Sequence, residues 1–487
     1  MSDAEHAPVA VPTEAASTDR SHHRPRRERT LSGWGRVAPS RAQVIEVRHA
    51  DEVGPVLAAQ RAGAGGVIAR GAGRSYGDAA QNAGGTVLDL TALDRIVSVA
   101  AEQGLVRVQA GVSYAQLLTE LAAHNLTLPV VPGTRHVTVG GAIASDVHGK
   151  SHPRDGSLAR HVVALRICTP AGESREITPD TDPELFLATL GGMGLLGVIV
   201  EATLRVERLD SPWWSVDSDR TGSLDETLAL MREDRAHRYS VAWLDLLAGG
   251  AQLGRAVVVR SNDWGAEATH GAPVRSRKRR DHVPSALSTP SRLRAPRGFP
   301  GALLAPPVVS TFNTLRWHAS ARSQRGRRTP MATHFFQLDL VADWNRLYGS
   351  RGFVQYQFAV PSGSETELVR CVELLRARGL PCYLAVLKRL GPGSRGPLSF
   401  PIEGWTLALD LPAAAPGLRP ALDRLDEQVA GCGGRVYLTK DVRLRRDLLA
   451  AMYPELHRFH AQRALVDPDG VLQSDLGRRL GLCAPAS

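Results

Sequence analysis

The sequence predicts an α+β chain built as two domains. Three observations carry that prediction. Up to Arg205, short apolar strands alternate with helical segments and are interrupted by three glycine-rich stretches. Past Leu209 the pattern changes to longer alternating strands and amphipathic helices. Within that second part, roughly residues 262–330 lose periodicity and fill with arginine, proline and serine. At 487 residues the chain can fill two cores, and 43% hydrophobic with 22% charged residues is the balance of a soluble globular protein.

Residues 1–30 are polar and alanine-rich, end in Arg24-Pro25-Arg26-Arg27-Glu28-Arg29, and read as a disordered basic tail. A twin-arginine export signal needs an apolar run after the arginines, and only Leu31-Ser32-Gly33-Trp34-Gly35 follows. Gln43–Val47 reads as a strand and 51–62 as a helix. Val67-Ile68-Ala69 is a short buried strand, and Thr86–Leu90 a second. Val106–Gly111 alternates like a half-buried strand, and Tyr114–Asn125 has helical spacing with Leu117, Leu118 and Leu121 in a stripe. In the second part, 240–245, 353–360, 382–388 and 404–411 read as strands, with helices at 364–378 and 416–431.

The formal charge of +10 makes nucleic acid a partner class to weigh. The excess is concentrated in residues 262–330, at Arg275-Ser276-Arg277-Lys278-Arg279-Arg280, then Arg292, Arg294, Arg297, Arg322, Arg325, Arg327 and Arg328. Two readings stand: a mobile, solvated loop, or a contact with anionic lipid headgroups. No aromatic-rich motif accompanies the charges, so no nucleic acid is expected. Five scattered cysteines without a C-x-x-C pair argue against a disulfide framework or a zinc site, and no metal is expected. No apolar run reaches the roughly 18 residues that span a bilayer. The expected location is cytoplasmic, with the inner-membrane surface as the place where the basic stretch would meet lipid.

The strand Val67-Ile68-Ala69 runs into Arg70-Gly71-Ala72-Gly73-Arg74-Ser75-Tyr76-Gly77-Asp78. Glycines there let the backbone turn tightly, successive N–H groups can form an anion nest, and Arg74 adds positive charge. Taken alone, such a loop fits an ordinary turn as well as a pyrophosphate cradle. Two further stretches follow, Pro132-Gly133-Thr134-Arg135-His136-Val137-Thr138-Val139-Gly140-Gly141-Ala142-Ile143-Ala144-Ser145-Asp146-Val147-His148-Gly149-Lys150 and Leu190–Val200. Three such loops in this order resemble the FAD-binding domain of the vanillyl-alcohol oxidase (PCMH-type) flavoproteins. Within that superfamily, R-G-x-G-R-S-Y-G-D, P-G-T-R-x-V-T-V-G-G-A-I-A and D-x-H-G-K resemble the decaprenylphosphoryl-ribose oxidases. These are the flavin half of the actinobacterial epimerase that makes the arabinose donor for cell-wall arabinan.

The resemblance implies a PCMH-type FAD-binding domain over 31–208, with two small sheets holding FAD between them. It implies an antiparallel-sheet substrate domain over 209–434, and a C-terminal return to the flavin domain over 435–487. Implied cofactor contacts are Arg70, Gly71, Gly73, Arg74, Ser75, Tyr76 and Gly77 in the first loop. In the second they are Pro132, Gly133, Thr134, Thr138, Gly140, Gly141, Ala144, Ser145, His148 and Gly149, joined by Val198, Ile199 and Tyr437. Tyr76 stands where some relatives carry a histidine bonded to flavin, so the FAD is expected to be non-covalent.

Oxidising an alcohol at a flavin needs polar and cationic side chains facing a cleft, since the cofactor carries the redox step. On strand 353–360, Gln355 and Gln357 share one face, opposite Val354, Tyr356 and Phe358. Lys388 closes an apolar strand on the face of Leu384 and Val386. The resemblance makes Lys440, Lys388 and His148 the candidate catalytic residues. The candidate substrate contacts are Lys150, Trp243, Phe336, Gln355, Gln357, Thr406 and Ala408, together with Lys388 and Lys440. The sequence departs from the family at two places. Thr406 and Ala408 stand where the family has asparagine and cysteine, and Phe336 replaces a tyrosine.

The expectation is an FAD-dependent oxidoreductase acting on a CH–OH group, with a polyprenyl-phosphate-linked pentose as substrate and an NAD-dependent reductase as partner. An alditol or aldonolactone oxidase acting on a soluble sugar is the rival enzyme. A basic lipid- or nucleic-acid-binding protein is the rival of another class.

Overall fold

The computed structural model describes residues 26–60, 65–264, 293–300 and 304–483. Residues 1–25 and the arginine cluster 275–280 lie outside that range, together with the expectations placed on them. The end of the expected tail is corrected. β1 (Arg27–Leu31) pairs antiparallel with β2 (Ser40–Glu46), Arg27 opposite Val44 and Leu31 opposite Ser40. An edge strand is held by backbone hydrogen bonds and leaves its side chains in water, so a polar composition does not forbid it.

β2 runs parallel to β4 (Thr86–Asp89), which runs parallel to β3 (Val67–Arg70), giving a four-stranded sheet in the order β1-β2-β4-β3. Val67, Ile68, Val87 and Leu88 are fully buried at its centre, as the apolar runs require. A second sheet, antiparallel, takes β5 (Ile96–Ala100), β6 (Leu105–Gln109), β8 (Val162–Cys168), β9 (Ser174–Ile177) and β10 (Val198–Arg205) in the order β5-β6-β10-β8-β9. β7 (Leu126–Thr127) and β11 (Glu207–Arg208) form a small ribbon beside it. Between β6 and β8 the apolar run before His148 forms a short helix, Val139–Ala144. Gly140 lets that helix lie against the end of β6, where an added methyl would sit 2.7 Å from the Ala110 Cβ. Short apolar runs do not distinguish a strand from a buried helical turn.

The second region is an eight-stranded antiparallel sheet. In chain order its strands are β12 (Trp213–Thr221), β13 (Tyr239–Asp245), β14 (Arg255–Asp263), β16 (Ser323–Pro330), β18 (Phe353–Pro361), β19 (Leu384–Leu390), β20 (Gly404–Pro412) and β21 (Arg435–Val436). Their spatial order is β16-β12-β14-β13-β19-β20-β18-β21. β15 (Leu293–Arg294) and β17 (Val341–Ala342) make a separate parallel pair. Helices Glu365–Ala377 and Leu418–Gly431 cover one face, where Tyr356 donates a hydrogen bond from its hydroxyl to Asp426 (3.0 Å). The opposite face turns to the first two sheets.

The solvated-loop expectation for 262–330 is corrected over its described part. Pro306–Ala319 is a helix, and Arg325, Arg327 and Arg328 lie on edge strand β16, with Arg322 just before it. β16 pairs with β12 from Ser323 opposite Asp219 to Pro330 opposite Trp213. Charged side chains suit an edge strand, and they conceal it from a search for apolar alternation.

Candidate active site

The loop after β3, the segment 131–150 and the inward face of the eight-stranded sheet enclose a cavity of about 440 Å³. This is within the range of small-molecule sites.

At one end lie Gly71, Gly73, Arg74 and Ser75, with Gly133, Thr134, Gly140 and Gly141 facing them. Gly73 has φ +62°, a conformation that glycine adopts without a Cβ penalty. The Arg74 guanidinium lies 4.0 Å over the Trp34 ring, and its buried Nε has no hydrogen-bond acceptor. Burial lowers its pKa, partly opposed by Asp339 and Asp343. A methyl added at Gly133 would meet nothing of the protein within 4 Å, so the space beside that backbone is open.

The middle is built by residues 145–150. Asp146 anchors them, accepting hydrogen bonds from Ser157 (2.9 Å), Ser394 (2.8 Å) and Ser399 (2.5 Å) hydroxyls and from the Ala159 N–H (2.9 Å). The Tyr437 hydroxyl donates to the Ser145 carbonyl (2.7 Å), and its ring stacks on Phe400. His148 is buried beside it. Its Nε2 lies 3.0 Å from Gln357 Nε2, and its Nδ1 has no partner. With the amide donating, Nε2 accepts and Nδ1 carries the proton, a tautomer assigned from the network. Burial, then Lys388, His152 and Lys440, hold the ring well below the usual histidine range, so it is neutral.

Three lysines converge on the same space. Lys440 Nζ sits 3.6 Å from the centroid of the Tyr76 ring. Burial pushes its pKa down to about 7, with Asp410 opposing and Lys388 reinforcing the fall. Burial likewise pushes Lys388 to about 8. Lys150 is pushed to about 7 by burial and then by Lys388, and it donates to the His334 carbonyl (2.5 Å). Among the described residues, the Lys388 and Lys440 ammonium groups have no hydrogen-bond acceptor. Behind Lys440, Asp410 accepts from Gln355 Nε2 (2.6 Å) and the Tyr348 hydroxyl (3.1 Å), and burial raises it to about 6.

Most of the residues singled out in the sequence line this cavity, including Ala144, Gly149, Thr138, Pro132, Ile199, Trp243 and Ala408. Five do not. The Arg70 guanidinium turns away to donate to the Ala80 (2.9 Å) and Ser32 (2.8 Å) carbonyls and braces the loop from behind. Gly77 faces the Asp441 carbonyl, with no room for a Cβ. Val198 points into the core, and its neighbour Ile199, on the other side of the pleat, reaches the cavity. Phe336 packs in the core and Phe335 takes the lining position, one residue out of phase. Thr406 is screened by Gln357, whose Nε2 donates to its hydroxyl (3.2 Å). Trp34, Arg316, Leu338 and Trp344 also line the cavity, from segments whose sequence carries no motif. Trp34 had a usable signal, an aromatic between two glycines.

A sequence family described as an FAD binding domain matches residues 41–178. Decaprenylphosphoryl-β-D-ribose oxidase of Mycolicibacterium smegmatis is 40% identical over 469 residues, which is 94% of this chain and 98% of that protein. The chain belongs to the decaprenylphosphoryl-β-D-ribose oxidase family. An uncharacterized protein from the mprA 5′ region of Streptomyces coelicolor is also 40% identical, over 73% of this chain and 96% of its own length. A putative D-arabinono-1,4-lactone oxidase of Neurospora crassa matches at 34% over 136 residues, 28% of this chain and 24% of that protein.

As a member of this oxidase family, the chain is an FAD-dependent oxidoreductase with the α+β PCMH-type fold. Its residues fit the cofactor. The open backbone at Gly133 and the acceptor-free Arg74 Nε suit a pyrophosphate, and the cavity-lining His148 has a buried Nδ1 without a partner, a polar group left for a bound molecule to satisfy. No helix among the described residues is long and apolar enough to cross a membrane.

Proposed function

We propose that the chain oxidises the 2-hydroxyl of a polyprenyl-phosphate-linked ribose to the 2-keto sugar. An NAD-dependent reductase would then consume the keto product. The observation that carries this reading is the pairing, in one cavity, of buried ammonium groups with an apolar wall. Lys388 and Lys440 supply cations for a sugar-phosphate, while Trp243, Val257 and Val259, on the next two strands beyond that of Lys388, supply a surface for a hydrocarbon tail. A soluble alditol would leave that wall uncovered.

FAD, when bound, supplies the acceptor for the hydride lost from the carbinol carbon. The protein does the rest by position and charge. Lys388 and Gln355 hold the sugar-phosphate from the sheet, and Lys440, against Tyr76, places positive charge where negative charge develops. His148, held neutral and fixed by Gln357, offers an N–H to the ring system beside it. Tyr76 offers no imidazole for a covalent flavin bond, so the FAD is held non-covalently. The basic surface brings the protein to anionic lipid.

Anaerobic mixing of the holoenzyme with polyprenyl-phosphoryl ribose is expected to bleach the flavin absorbance, and free alditols or aldonolactones are expected not to. Bleaching by the soluble sugars alone would replace this reading with the aldonolactone-oxidase one.

A further inference from the structure

A surface helix turns its apolar side to the protein and its polar side to water. Helix Pro306–Ala319 buries Val309 but also carries an apolar stripe on its outer side. Toward the sheet it presents Asn313, whose Nδ2 donates to Asp245 (3.0 Å), and Thr314, whose hydroxyl accepts from Arg255 (2.8 Å). Trp317 lies on the same side, with its Nε1 donating to the Thr221 carbonyl (3.2 Å). At about 100° per residue, Val308, Phe312, Leu315 and Ala319 fall within about 60° of one another on the other side. Val308, Phe312 and Leu315 are 53%, 59% and 65% exposed. The helix carries no acidic residue and ends in Arg316 and His318. Arg322 follows three residues later and Arg327 lies on the strand beyond, both exposed. Arg316 is also part of the cavity wall, its guanidinium 4.9 Å over the Trp243 ring, so the apolar stripe borders the cavity mouth.

We propose that Pro306–Ala319 is an interfacial helix that lays Val308, Phe312 and Leu315 into the surface of an anionic bilayer. A stripe of this kind beside a run of cations matches the chemistry of an acyl boundary under anionic headgroups. The cavity mouth then opens at the lipid, and a lipid-linked substrate reaches Lys388 without crossing water. That entry route rests on the substrate proposed above, whereas the membrane contact does not.

The test is co-sedimentation of the full-length holoenzyme with vesicles of phosphatidylcholine alone or with phosphatidylglycerol added. The wild type is expected to sediment with the anionic vesicles, less so as salt rises. The double variant Phe312→Asp, Leu315→Asp is expected to lose at least about tenfold of that partitioning, since two apolar side chains no longer insert. Its FAD content and thermal midpoint should match the wild type. Leu465→Asp, at a site 74% exposed on another helix, should sediment as wild type does. A wild type that stays in solution, or a double variant that sediments unchanged, overturns the proposal. So does a double variant that loses self-association at equal vesicle binding, which would make the stripe a contact between copies. If the vesicle result holds while no lipid-linked ribose bleaches the flavin, the substrate assignment falls and the interfacial helix stands.

Discussion

Lys440 shows how burial can set the working range of one side chain. Its ammonium is enclosed by the Tyr76 ring and the cavity wall, and desolvation outweighs the help it receives from Asp410. With a pKa near 7, it is protonated below that value and neutral above it. If its charge stabilises the hydride-transfer transition state, kcat/KM should fall as pH rises through about 7, because that quantity reports the free enzyme. Lys440→Met is expected to bind FAD, to slow anaerobic flavin reduction by about 10²-fold, and to lose that limb of the pH profile. A fall governed by Lys388, near pH 8, should remain. An unchanged profile in the variant would take Lys440 out of the mechanism.

Among the elements, the glycine loops separate two uses of a missing Cβ. Gly77 faces the Asp441 carbonyl and Gly133 faces open cavity. Gly77→Ala should push the first loop off the returning C-terminal segment, costing about 1–3 kcal/mol, the scale of overpacking. Gly133→Ala should leave the melting of the apoprotein unchanged and weaken FAD binding, because its methyl meets no protein atom and stands on a cavity-lining backbone. Thermal scans with and without added FAD separate the two cases. The glycine pattern was legible in the sequence because it records backbone approach, and the β2, β4 and β6 runs were legible because they bury alternating or continuous apolar residues. β1 and β16 were hidden, since edge strands such as Arg27–Leu31 are held by main-chain bonds that leave no apolar period. Helix Pro306–Ala319 was hidden because its apolar residues fall on both sides, Val309 and Trp317 inward and Val308, Phe312 and Leu315 outward, so no single stripe marks it. In the site, the pairing of Gln355 with Gln357 could be read from strand alternation, whereas Phe335 against Phe336 is a one-residue phase fixed only by the end of helix Met331–Phe335.

Across the whole molecule, the last fifty residues tie the second domain back to the first. β21 extends the eight-stranded sheet, and immediately afterwards the Thr439 carbonyl accepts from the Tyr76 N–H (3.1 Å) in the glycine loop. Further on, the Val471 carbonyl accepts from the Val67 N–H (2.8 Å), so the chain end sits against β3. Arg479 joins these pieces. It grips Asp78 through Nε (3.1 Å) and Nη2 (2.8 Å), and its Nη1 donates to Asp441 (2.8 Å) and to the Leu444 carbonyl (3.0 Å). One guanidinium thus bridges the first glycine loop to the segment that carries Lys440. Because this return ties the first glycine loop to the eight-stranded sheet, flavin release and the tryptophan signal from the second domain should follow a single urea transition. Arg479→Met leaves Asp78 and Asp441 buried without their cation, a loss of about 3 kcal/mol. The flavin-release midpoint should then fall, and the tryptophan midpoint should fall with it by the same amount. Two transitions that separate in the wild type, or a variant in which only flavin release moves, would mean that the domains unfold independently and that Arg479 serves the flavin loop alone.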